Sequence, residues 1–305
     1  MSDKVVSKKF VYKDFSFVGI ILSLYAFFGL YIPFLIENYL ELDTFNFFAN
    51  LSYDYLLVIK IFCLFFASLV PFTILLLSDS KLHNKTKKRE KANIIDLLKN
   101  FLMFLCITAL FTYINSSILS YFGIASSIVS NIGLSIEPKY FNDILYISIY
   151  IAFLPWLEEF AFRKCLLSVL GKYGKRFAVF TCSLMYALAH ASIVDFLPCF
   201  VMSYFLCKGY LRYKSLTFVS IIHILYNLIM FLGFSISSEY NNYVLILIFS
   251  ILLISLILFL SKQYTPTLLP KTDYNRNTFK MFITRKTVIF SILLFIGFAI
   301  LKIVI

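Results

Sequence analysis

The stretch Trp156-Leu157-Glu158-Glu159-Phe160-Ala161-Phe162-Arg163 sets two adjacent carboxylates and an arginine in or at the edge of an otherwise apolar run. Such a placement is expensive in a membrane, where an uncompensated charge near the centre of a spanning helix costs about 3 kcal/mol on insertion scales. An intramembrane Glu-Glu pair therefore points first to function. The competing structural reading is a Glu-Arg salt bridge that holds helices together.

The rest of the chain supplies the membrane. Of its 305 residues 61% are hydrophobic, 19% aromatic and 14% charged, and the mean hydropathy is +0.87. That composition excludes a soluble globular protein and predicts an all-α, polytopic bundle of about eight or nine transmembrane helices. The net charge of +12 does not indicate nucleic acid, because the basic residues sit in short segments between apolar runs rather than on a polar domain. The six cysteines are scattered through apolar segments with no Cys-x-x-Cys spacing. They read as small buried side chains, not as a disulfide framework or thiolate metal site. The first apolar run lacks a small-x-small cleavage site, which predicts a retained helix.

The basic residues also orient the chain. Apolar spans are predicted at about 15–36, 55–77, 101–122, 144–165, 177–194, 196–211, 215–234, 243–261 and 287–305. With the N-terminus in the cytoplasm, all but three of the 28 Lys and Arg residues fall in inside segments, the exceptions being Lys60, Lys139 and Lys302. This is the positive-inside bias. The run from Lys85 to Lys91, within the basic loop at 78–100, reads as a solvated cytoplasmic loop. Residues 1–143 form an N-terminal group of about three spans, 144–235 a core, and 236–305 a C-terminal group. The joint between spans five and six is very short, since Asp195 and Pro198 leave almost no loop.

Histidine is scarce, which makes its placement informative. Of His83, His190 and His223, the first lies in the basic loop and the other two in apolar spans soon after the Glu-Glu helix. Helical spacing then assigns faces. Glu159 and Arg163 are four apart, about 40° around a helix, with the acid on the N-terminal side. Glu158 is about 100° from Glu159 and points elsewhere, so the same arginine does not neutralise it. It is the candidate general base. Tyr186 and His190 are four apart, as are His223 and Asn227, and each pair shares a helix face.

Glu158-Glu159-x-x-x-Arg163, Tyr186-x-x-x-His190 and His223-x-x-x-Asn227, in this order and each in an apolar span, resemble the CAAX-protease and bacteriocin-processing (CPBP) family of intramembrane proteases, also called the Abi or type II CAAX prenyl endopeptidase family. The resemblance covers about 144–235. Tyr186 stands where the family pattern usually has Phe, and a buried phenol needs a hydrogen-bond partner. The resemblance implies that Glu158 and His190 activate a water for attack on a peptide carbonyl, that His223 and Asn227 stabilise the oxyanion, and that Glu159 and Arg163 support the site. The residues leave the cofactor open: Glu158, His190 and His223 can be read as three ligands of a catalytic zinc or as a metal-free set with neutral oxyanion donors.

Two other classes use the same residues. In a proton-coupled transporter Glu158, Glu159, His190 and His223 would form a relay, and a broken helix or inverted repeat would support it. A non-catalytic partner or immunity protein on the same scaffold would be expected to lose the polar residues, which this chain keeps. The favoured expectation is an endopeptidase of the membrane, in a bacterial plasma membrane with its N-terminus in the cytoplasm. Its partners are the lipid bilayer and a membrane-associated peptide or protein, whether a prenylated C-terminus, a leader or pheromone peptide, or a bacteriocin precursor. The site is expected near the cytoplasmic face, because Glu158 lies five residues from Arg163, about 7–8 Å of helix rise.

Overall fold

The structure is a computed structural model that describes residues 8–39, 53–78, 92–121, 148–235 and 276–304. The basic run Lys85 to Lys91, His83, the loop at 123–143 and the predicted span at 243–261 lie outside the described residues. Among the described residues the fold is all-α. Its helices are α1 (Lys8–Ala26), α2 (Ile32–Tyr39), α3 (Tyr53–Ser78), α4 (Ile94–Tyr121), α5 (Leu154–Glu159), α6 (Leu167–Leu170), α7 (Lys175–Ala189), α8 (Ile193–Tyr213), α9 (Leu216–Ser235), α10 (Arg276–Ile283) and α11 (Lys286–Val304).

The protein is an integral membrane protein. By length and composition four segments can cross a membrane among the described residues: Val11–Ile36, Val58–Ser78, Ile94–Tyr121 and Ile193–Tyr213. The pair Asn277–Ile283 and Lys286–Lys302, bent by 67°, makes a fifth if it is one span, and Leu216–Phe231 is a shorter apolar helix.

Among the described residues three π-helical stretches interrupt this pattern: Phe27–Tyr31, Ile149–Phe153 and Phe160–Leu166. Two of them stop just short of a proline, Pro33 and Pro155. A proline has no N–H to give the carbonyl four residues back, so the preceding turn widens to find a donor one residue further on. The Glu-Glu pair ends α5, between two widened stretches.

The chain divides into two compact units. One comprises Met1–Asn84, Phe160–Thr181 and Lys271–Ile305. In it α1 lies against α11 so closely that a Cβ on Gly19 would stand 2.5 Å from both Thr287 Oγ1 and Val288 N, which only glycine permits. Thr287 Oγ1 donates to the Ser16 carbonyl at 2.9 Å and Tyr31 Oη to that of Leu294 at 2.8 Å. Phe15, fully buried, gathers the rings of Tyr173, Phe177 and Phe282 around it. Asp14 accepts from Tyr173 Oη and pairs with Lys172, each at 2.5 Å.

The other unit comprises Lys85–Glu159 and Cys182–Pro270, and there α4 packs on α8 and α9, and α9 on α5. The joint between α7 and α8 is a corner of three residues. Ala191 takes a left-handed conformation (φ 45°) and its N–H donates to the Leu188 carbonyl at 2.9 Å, which closes α7. Ser192 then caps α8, its side chain accepting from Asp195 N at 3.2 Å. Span five therefore ends at Ala189 rather than near 194, and Asp195 and Pro198 are already inside α8. Between α8 and α9 the expected tight basic turn is a second left-handed residue, Lys214 (φ 49°), followed by the Ser215 hydroxyl accepting from Phe218 N at 3.2 Å.

Candidate functional site

The last turn of α5 directs its two carboxylates to different helices. Residues one apart on an α-helix diverge by about 100°, and here that divergence decides each partner. Glu158, half-buried, accepts a hydrogen bond at Oε2 from Tyr186 Oη of α7 at 2.8 Å. Glu159, fully buried, faces α9, where its Oε1 lies 3.0 Å from His223 Nδ1. The buried phenol of Tyr186 thus finds its partner in the carboxylate that lacks an arginine on its own helix face.

Each of the two described histidines is held through Nδ1. His190 follows the last residue of α7, and its Nδ1 lies 3.0 Å from the carbonyl of Tyr186. That carbonyl belongs to the final turn of the helix, where backbone acceptors lose their intrahelical donors. A carbonyl oxygen can only accept, so Nδ1 carries the proton and neutral His190 keeps its lone pair on Nε2. The same logic applies to His223, which is 3% exposed: a carboxylate accepts, Nδ1–H donates, and Nε2 is left for chemistry.

Tyr186 is the hub of the set. It is fully buried, its ring centroid stands 4.5 Å from that of His190 at 55°, and 6.5 Å from that of His223 at 72°. Glu158, Glu159, Tyr186, His190 and His223 are thereby brought together within one unit. Asn227, half-buried, lies one turn beyond His223 on α9. Arg163 is fully buried and belongs to the other unit, one turn beyond Glu159 along the chain.

Cys199 of α8 was not anticipated from sequence: it is buried near His190, close enough to act on it electrostatically. A cysteine in an apolar helix gives no signal of that contact, because it looks like any small core residue. Among the described residues no three His, Cys, Asp or Glu side chains are grouped to hold a metal ion.

The family comparison agrees with these motifs. No curated protein and no solved structure matches the chain. A family model described as "Type II CAAX prenyl endopeptidase Rce1-like" matches residues 140–229, which contain Glu158, Glu159, Arg163, Tyr186, His190, His223 and Asn227. That match, over under a third of the chain, supports a likeness of residues 140–229 to the type II CAAX prenyl endopeptidase family.

Proposed function

We propose that this protein is an intramembrane endopeptidase in which Glu158 and His190 activate water and His223 and Asn227 stabilise the oxyanion. The observation that carries the reading is that Tyr186 is hydrogen-bonded both to Glu158, through its hydroxyl, and to His190, through its carbonyl, beside the Glu159–His223 pair. Glu158 is fixed at Oε2 and takes a proton from water at its other oxygen, while His190 Nε2, the lone-pair nitrogen, accepts from the same water and orients it. The water oxygen bonds to the scissile carbonyl carbon. Negative charge then moves onto the carbonyl oxygen, where donors aimed at that position act most strongly.

Glu159 sets what His223 can do there. In its protonated form His223 donates from both nitrogens, Nδ1 to Glu159 and Nε2 to the oxyanion, with the Asn227 amide as the neutral second donor. Collapse of the tetrahedral intermediate breaks the C–N bond as the proton held by Glu158 passes to the leaving nitrogen. No step is routed through a metal. Among the described residues a transporter reading would draw on the bent pair α10–α11, which belongs to a different unit from the two histidines.

The substrate class in this reading is a membrane-associated peptide or lipid-bearing segment cut near the cytoplasmic face of a bacterial plasma membrane. The test is comparative peptidomics of cells carrying the native protein or Glu158→Gln. Peptides that appear only with the native protein are expected, and identical peptidomes from folded proteins would remove the proposed base.

A further inference from the structure

Tyr186 does more than fill the place of an aromatic. A phenylalanine there would supply the same ring and the same burial, yet this chain adds an oxygen and spends it on Glu158 Oε2 at 2.8 Å. A glutamate has three rotatable side-chain bonds, so a carboxylate without an anchor spreads over several rotamers. Tyr186 has two, and its ring is fixed by full burial, by the His190 ring at 4.5 Å and by its own carbonyl's hydrogen bond to that histidine. The rigid partner holds the mobile one.

Resting on the water-activating reading of Glu158, we propose that Tyr186 is a positioning residue: its phenol clamps one oxygen of the general base, so that the other faces the same water as His190. One residue then aligns both water-binding groups, Glu158 through its hydroxyl and His190 through its backbone carbonyl and ring. Because the clamp is a single O–H, Tyr186→Phe removes it while keeping the ring in place. An ångström-scale loss of alignment at a reacting group lowers turnover about 10- to 100-fold. Substrate binding is not involved, so KM stays within about twofold while kcat falls.

Infrared spectroscopy of the full-length protein in lipid nanodiscs reads the clamp without any substrate. The Glu158 carboxyl band is identified by its disappearance in Glu158→Gln, and it is expected to shift in Tyr186→Phe. An unmoved band overturns the clamp. Should the Phe variant not fold, 3-fluorotyrosine incorporated at position 186 keeps the hydroxyl but changes its acidity, and the same band must move. Turnover is followed on a peptide identified in the peptidomic comparison, per folded protein. Full kcat in Tyr186→Phe with an inactive Glu158→Gln refutes the positioning role and leaves the protease reading standing. Activity retained in Glu158→Gln, or no native-specific peptide, sinks that reading itself.

Discussion

The choice of partner by Glu159 can be measured. Its Oε1 lies 3.0 Å from His223 Nδ1, and the two side chains are 0% and 4% exposed, so solvent screens the pair very little. Removing one member of such a pair altogether costs about 3–5 kcal/mol, because the remaining group is stranded. Glu159→Gln is gentler: its amide oxygen still accepts from Nδ1–H, and the loss is the difference between a charge-assisted and a neutral hydrogen bond, about 1–2 kcal/mol. His223→Gln breaks the same interaction from the other side. The double variant should therefore lose less than the two single variants together, with a coupling of about 1 kcal/mol or more.

The assay is unfolding in mixed micelles, in conditions where it is reversible, followed by the fluorescence of Trp156. That residue is the chain's one tryptophan and lies three residues before Glu159 on the same helix. Additivity within about 0.5 kcal/mol would show that Glu159 and His223 do not interact, and the tautomer argument for His223 would fall with it.

Two further outcomes follow from the positions of the charges and of the site. With the N-terminus in the cytoplasm, single cysteines introduced at 85–91 should resist an impermeant thiol reagent in intact cells and react after permeabilisation; labelling in intact cells would reverse the topology. In the proposed metal-free mechanism, where neutral donors hold the oxyanion, chelation should leave activity intact. Activity lost on chelation and restored by zinc, with about one zinc bound per chain, would replace the metal-free mechanism.

Sequence carried the spacing of the site much further than its pairing. Glu158-Glu159, Tyr186-x-x-x-His190 and His223-x-x-x-Asn227 were legible because helical periodicity is local, and the apolar spans were legible because a membrane demands them. Pairing was not local. Glu158 and Tyr186 are 28 residues apart, and Glu159 and His223 are 64 apart, so their meeting depends on how α5 lies against α7 and α9. The corner at Ala191 was equally hidden. A left-handed residue at a helix end is usually glycine or asparagine, and alanine gives no such warning, so the apolar pattern runs about five residues past the helix end at Ala189 and takes in His190. Its true position past the last turn is what frees its Nδ1–H to bind the Tyr186 carbonyl.

Two oddities in the sequence then have a single physical cause. Glu158 was the carboxylate for which helix geometry offered no cation, and Tyr186 was the phenol that stood buried in an apolar helix. A buried carboxylate needs donors and a buried phenol needs an acceptor. The 2.8 Å bond between them meets both needs with a neutral donor, which leaves the negative charge on Glu158 rather than cancelling it in a salt bridge. For the base proposed here a neutral clamp serves better than a cation: an arginine in the same place would fix the carboxylate equally well, but a charge-assisted bond grips a carboxylate about twice as strongly as a neutral donor does.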